Sequence, residues 1–135
     1  MRILSLIFFH GYVWLLILAG GLGTFSARFD HRLLFDLSVS GLSAQTSASL
    51  LSQYRFLRAI ECGFGIFAFI FRQEIFQQRL FNRIFLGTMF FGVAARIVSL
   101  LLDGEPFLVF HGFMLLELIG GILIFLYTRK TLSPS

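Results

Sequence analysis

A chain of 135 residues that is 57% hydrophobic and 13% charged, with a mean hydropathy of +0.86, is not a water-soluble domain. Soluble domains carry about a quarter charged residues and lack apolar runs of ~20 residues. A formal charge of +4 and a pI near 10.0 do not make nucleic acid a partner here, because the basic residues gather at the ends of apolar segments.

Four apolar runs nearly fill the chain, so the expected fold class is all-α, an integral membrane four-helix bundle. It reads as a single domain over residues 1–135, with spans at about 3–24, 53–71, 80–102 and 107–127. The one cysteine, Cys62, excludes an internal disulfide and any multi-cysteine metal or thiol-relay site.

The first segment is apolar apart from Ser5, His10 and Tyr12. Arg2 and the run after it imitate a secretory signal peptide, but the run exceeds the usual ~7–15 apolar residues. Phe25-Ser26-Ala27 is also a poor cleavage site, so a retained helix is expected. His10, Trp14, Ile17, Gly21 and Thr24 share helical spacing and mark the expected inner face. His10 reads as a packing histidine, not a ligand.

Residues 28–52 form the one sizeable polar stretch. Phe29, Leu33, Leu34 and Leu37 fall on one helical face, which suggests a short helix in the membrane interface. Asp30-His31 brings too few ligands for a metal. Ser47 or Ser49 suits the N-cap of the next helix.

Segments two and three are joined by the short basic stretch 72–83, and segments three and four by Asp103-Gly104-Glu105-Pro106. Pro106 suits the first turn of the last helix, where its missing N–H costs nothing. Arg2, Arg72, Arg79, Arg83, Arg129 and Lys130 flank one side of the spans, against Arg28 and Arg32 on the other. Counting basic residues places the first group inside, hence N-in and C-in, multi-pass, in a bacterial cytoplasmic (inner) membrane.

With that topology, the buried charges fall into a layer in the outer half. Arg58 and Arg96 come roughly 8–10 Å deep, and Glu61 and Glu117 nearer ~12–15 Å. Arg58, Glu61, Gly65 and Ala68 line one face of segment two, and Thr88, Gly92, Arg96, Ser99 and Asp103 form a stripe on segment three. Glu117 shares a face with Met114, Gly120, Gly121 and Ile124, while His111 points away from it.

A structural network of Arg58, Glu61, Arg96, Ser99, Asp103 and Glu117 is therefore expected, with Asp103 offsetting Arg55. Its charges balance without an external ligand, which favours an ion-pair set that fixes helix register. The sharper alternative is an outward-opening pocket for an amphiphile, with Tyr54, Arg55, Arg58, Glu61, Arg96 and Glu117 as ligand-binding candidates. Proton relay through Glu61 and Glu117 is weaker, since no polar path continues inward.

Catalytic constellations are missing: there is no paired-histidine metal motif, phosphate loop or nucleophile elbow. Gly63-Phe64-Gly65 and Cys62 read as helix packing, and the 19 phenylalanines as core and lipid-facing filler. No enzyme activity, catalytic residue, metal or cofactor is expected.

Arg58-Ala59-Ile60-Glu61-Cys62-Gly63, Ala95-Arg96-Ile97-Val98-Ser99, Asp103-Gly104-Glu105-Pro106 and Glu117 together resemble a bacterial four-helix membrane family, domain of unknown function 4345. The resemblance covers residues 53–127, and the first helix more loosely. More loosely still, the architecture resembles DoxX-like small membrane proteins, some of which accompany quinone-linked oxidoreductases. Neither resemblance implies an assigned reaction. The expected partners are membrane lipid, with another membrane protein or a second copy for an accessory role. A lipid-like small molecule or quinone belongs to the pocket alternative.

Overall fold

Apolar runs longer than four helical turns, with no interior proline, form helices, and the chain is all-α. The computed structural model describes residues 2–132. Its helices are α1 (Arg2–Phe35), α2 (Ala44–Ile70), α3 (Arg72–Gln77), α4 (Arg79–Asp103) and α5 (Leu108–Thr131), with a one-turn 3-10 helix at Val39–Gly41. By length and composition, α1, α4 and α5 are each able to cross a membrane. The 27-residue α2 has the length, but Arg55, Arg58 and Glu61 interrupt its apolar run. The chain divides into two compact units, Val13–Phe67 and Met1–Tyr12 with Ala68–Ser135.

In the first of these units α1 and α2 run antiparallel, with backbones pressed together at glycines. A Cβ on Gly20 would stand 2.6 Å from the Cys62 amide nitrogen and 2.7 Å from the Arg58 carbonyl oxygen. One on Gly65 would stand 2.8 Å from the Ile17 side chain. Small residues permit such approach, and the dispersion contact it creates is the main attraction available between helices in lipid. The expected inner face of α1 is rotated: Gly20, Gly23 and Ala27 are buried, whereas Trp14 is 47% exposed. The rotation follows from Gly20 meeting the α2 backbone, while Gly21 meets only the Cys62 side chain, 3.7 Å from its Cβ position.

α1 is two helices joined at Ser26, whose φ of −93° and ψ of 18° are not helical. The cause is local: the Ser26 hydroxyl donates to the Leu22 carbonyl at 3.0 Å, a back-bond that bends helices. The short helix expected in residues 28–52 is thus the end of α1, running to Phe35 with Phe29 and Leu33 exposed. Asp36, at φ 48°, stops it, and Leu37 N–H returns to the His31 carbonyl at 3.1 Å. Leu37 and Val39 then pack with Ala27, Leu51 and Tyr54. α2 starts earlier than expected because Ser43, not Ser47 or Ser49, caps it: its hydroxyl accepts the Thr46 N–H at 3.2 Å.

In the other unit α4 and α5 are antiparallel, and the first turns of α1 pack with them. Ser5, fully buried, donates to the Leu123 carbonyl at 2.9 Å. Phe9 sits among Phe76 and Phe85 at centroid distances of 5.1 and 5.2 Å, and truncating such a buried ring costs about 3–5 kcal/mol. The basic joint between segments two and three contains the extra helix α3, held by buried Ile75 and by Asn82 Nδ2 donating to the Ile75 carbonyl at 3.0 Å. Pro106 lies one residue before the N-cap Phe107 and not in the first turn of α5.

Candidate functional site

The polar groups of the Val13–Phe67 unit form one hydrogen-bonded chain that crosses from α1 to α2. Ser26 Oγ shares its one proton between the Leu22 carbonyl and Asp30 Oδ1, each at 3.0 Å, and Tyr54 Oη donates to Asp30 Oδ2 at 2.8 Å. Arg58 Nε donates to Tyr54 Oη at 2.8 Å, and Arg58 Nη1 to Glu61 Oε2 at 2.7 Å. Helical spacing arranges this: Tyr54, Arg58 and Glu61 follow one face of α2 at steps of four and three. The guanidinium also lies 4.9 Å from the Tyr54 ring centroid. Gly23 leaves the room, since a Cβ there would meet Arg58 Cδ and Asp30 Oδ2 at 2.9 Å. His31 packs edge-on against Tyr54 at 4.6 Å and bonds the Ala27 carbonyl through Nδ1.

This chain has an acid at each end and a cation near its middle. The tyrosine proton points to Asp30 while its oxygen accepts from Arg58, so the hydroxyl is fully used. Such an arrangement fixes side chains in place and presents no free nucleophile. Sequence reading missed the Ser26–Asp30 contact because it ends the first helix at Thr24 and puts Asp30 in a separate short helix beginning near Phe29. The available signal was the i, i+4 spacing of the two residues, which helical continuation would have exposed.

The second unit holds a separate pair. Arg96 on α4 donates to Glu117 on α5 twice, Nε to Oε2 at 3.1 Å and Nη2 to Oε1 at 3.3 Å. This is the bidentate fork that suits arginine and carboxylate. Glu117 is buried, and the Arg96 side chain is 32% exposed with its charge 5.9 Å from the Phe113 ring centroid. Gly92 stands 3.8 Å from Glu117 Oε2 measured from its Cβ position, making space for the carboxylate. Gly120, Gly121 and Ile124 are buried along the same face, as helical spacing requires.

Of the six residues of the expected network, Arg58 and Glu61 belong to one unit, and Arg96, Ser99, Asp103 and Glu117 to the other. Within the latter, Ser99 and Asp103 bond each other at 2.9 Å on an exposed surface, so the segment-three stripe holds at Gly92 and Arg96 alone. Thr88 is likewise exposed and returns its hydroxyl to the Ile84 carbonyl. Asp103 Oδ2 accepts the Ser99 hydroxyl, and Arg55 is exposed on α2. His111 Nδ1 is buried without a hydrogen-bond partner.

Residues 8–128 match the model of a family described as a domain of unknown function, DUF4345. No curated protein and no solved structure matches the chain. The match spans most of the sequence, and the chain belongs to the DUF4345 family.

Proposed function

We propose that this DUF4345 member is a four-span, N-in/C-in protein of the cytoplasmic membrane that acts as an accessory or interaction subunit, with its intramembrane charges serving as fasteners between helices. The observation that carries this reading is that each of these arginines has a carboxylate partner within its own unit: Arg58 is held by Tyr54 and Glu61, and Arg96 by Glu117. On both arginines two nitrogens already bond within the unit, and the carboxylate beside each supplies the counter-charge that an anionic headgroup would otherwise bring. The open face of α2 supports an interaction role, since Ala59 and Gly63 are exposed at small-xxx-small spacing and nothing lies near Gly63. The orientation is supported by the Ala68–Ser135 unit, where Arg2 and Arg72 line one cleft and Arg79, Arg83 and Arg129 another, both reaching Leu132.

A double-variant comparison in detergent tests it. Arg96→Ala and Glu117→Ala each strand a charge, and breaking a buried pair costs about 3–5 kcal/mol, here at the lower end because Arg96 is partly exposed. Arg96→Met with Glu117→Leu removes both charges and should recover most of that stability. The wild type should also cross-link in membranes to a discrete species above its 15.4 kDa, and the folded double variant should keep it. A folded double variant that loses the species, or a wild type that runs only as the single chain, contradicts the proposal.

A further inference from the structure

The basic end of α4 and α5 carries a cleft that the matched charges do not explain. It has a volume of about 440 Å³ and is rimmed by Arg79, Arg83 and Arg129, with Leu86, Phe90 and Phe125 along its wall. No carboxylate among the described residues lines it. Among the described residues neither Arg83 nor Arg129 has a hydrogen-bond or ion-pair partner, and Arg79 uses only Nε, donating to the Leu132 carbonyl at 2.9 Å. From Arg83 to Phe90 the helix rises roughly 10 Å, so the cleft passes from guanidinium to hydrocarbon over the depth of a lipid headgroup and its first acyl carbons.

We infer that this cleft binds an anionic phospholipid, its phosphate on the three arginines and one acyl chain along Leu86, Phe90 and Phe125. Three positive charges with no internal counter-charge leave the site short of an anion, and arginine's planar fork matches phosphate oxygens. An apolar wall directly beyond the charges distinguishes a lipid from free phosphate. Basic pockets between spanning helices on the cytoplasmic side are where anionic headgroups bind. The inference rests on the membrane reading but is independent of the accessory role and of the Arg96–Glu117 pair.

The test is native mass spectrometry of the full chain, released from vesicles of equal parts phosphatidylglycerol and phosphatidylcholine. Each basic residue near an anionic surface favours an anionic headgroup about fivefold, so with three arginines retained phosphatidylglycerol should exceed phosphatidylcholine by on the order of a hundredfold. Arg79→Gln/Arg83→Gln/Arg129→Gln should bring the ratio near one, while Arg28→Gln/Arg32→Gln, in the other unit, should leave it unchanged. If the triple variant does not fold, Arg83→Gln alone, at an exposed and unpartnered position, should lower the ratio severalfold. Equal retention of the two lipids by the wild type overturns the proposal, as does an unchanged ratio in Arg83→Gln. So does an equal loss in the Arg28/Arg32 variant, which would reduce the effect to net charge. Displacement of the lipid by glycerol 3-phosphate at the same concentration would assign the cleft to a soluble phosphate and also overturn it.

Discussion

Tyr54 is the residue on which the chain of polar contacts turns, because a single hydroxyl serves both Asp30 and Arg58 at 2.8 Å. Neither neighbour has a substitute for it: removing the oxygen leaves Arg58 Nε and Asp30 Oδ2 facing an aromatic edge. Leaving partly buried polar groups unsatisfied costs about 1–3 kcal/mol, so Tyr54→Phe should destabilise by that amount in thermal unfolding followed by circular dichroism. Thr88→Val removes only an exposed bond to its own helix and should stay within about 0.5 kcal/mol. If the two variants behave alike, the Asp30–Tyr54–Arg58 chain is not a stabilising unit. Sequence reading identified Tyr54, Arg58 and Glu61 because helical spacing within one segment is a local property. Asp30 escaped because its bond to Tyr54 depends on which helix lies opposite, and the i, i+4 spacing to Ser26 records only its partner on its own helix.

At the scale of the helix, the length of each apolar run was the legible quantity. The run lengths located α1, α2, α4 and α5, but the ends failed wherever polar residues continue a helix. Ser26 bends α1 instead of ending it, and Ser43 starts α2 four residues or more ahead of the expected caps. α3 was missed because six residues with only Ile75 and Phe76 apolar look like a loop until Ile75 is buried. Which glycine touches a neighbour was also hidden, since Gly11, Gly20 and Gly21 are equivalent as letters. Their environments differ: Gly11 has nothing within 4 Å of a Cβ position, whereas Gly20 meets the backbone of α2. Backbone atoms cannot swing aside as a side chain does. Gly20→Ala should therefore force α1 and α2 apart and cost about 1–3 kcal/mol, while Gly11→Ala should be neutral or gain up to about 1 kcal/mol of helix propensity. Equal stability of the two alanine variants would mean that the close approach at Gly20 contributes nothing.

For the whole molecule the decisive question is whether α2 crosses the membrane. Its 27 residues are long enough, at 1.5 Å per residue, to cover a hydrocarbon core of about 30 Å. Against it stand Arg55, Arg58 and Glu61. Arg58 and Glu61 neutralise each other through a 2.7 Å contact, and Arg55 lies near the start of the apolar run, where a long side chain reaches the interface. A crossing α2 puts the 36–43 loop and the α2–α3 junction on opposite sides, whereas an α2 lying on the surface puts both on the same side. Single cysteines at Ser40 and Gln78, both exposed, with Cys62→Ala as background, separate these cases. An impermeant maleimide applied outside intact cells should label Ser40→Cys and spare Gln78→Cys until the membrane is opened. Labelling of both from outside, or of neither, would mean that α2 does not span and that the N-in/C-in arrangement falls with it.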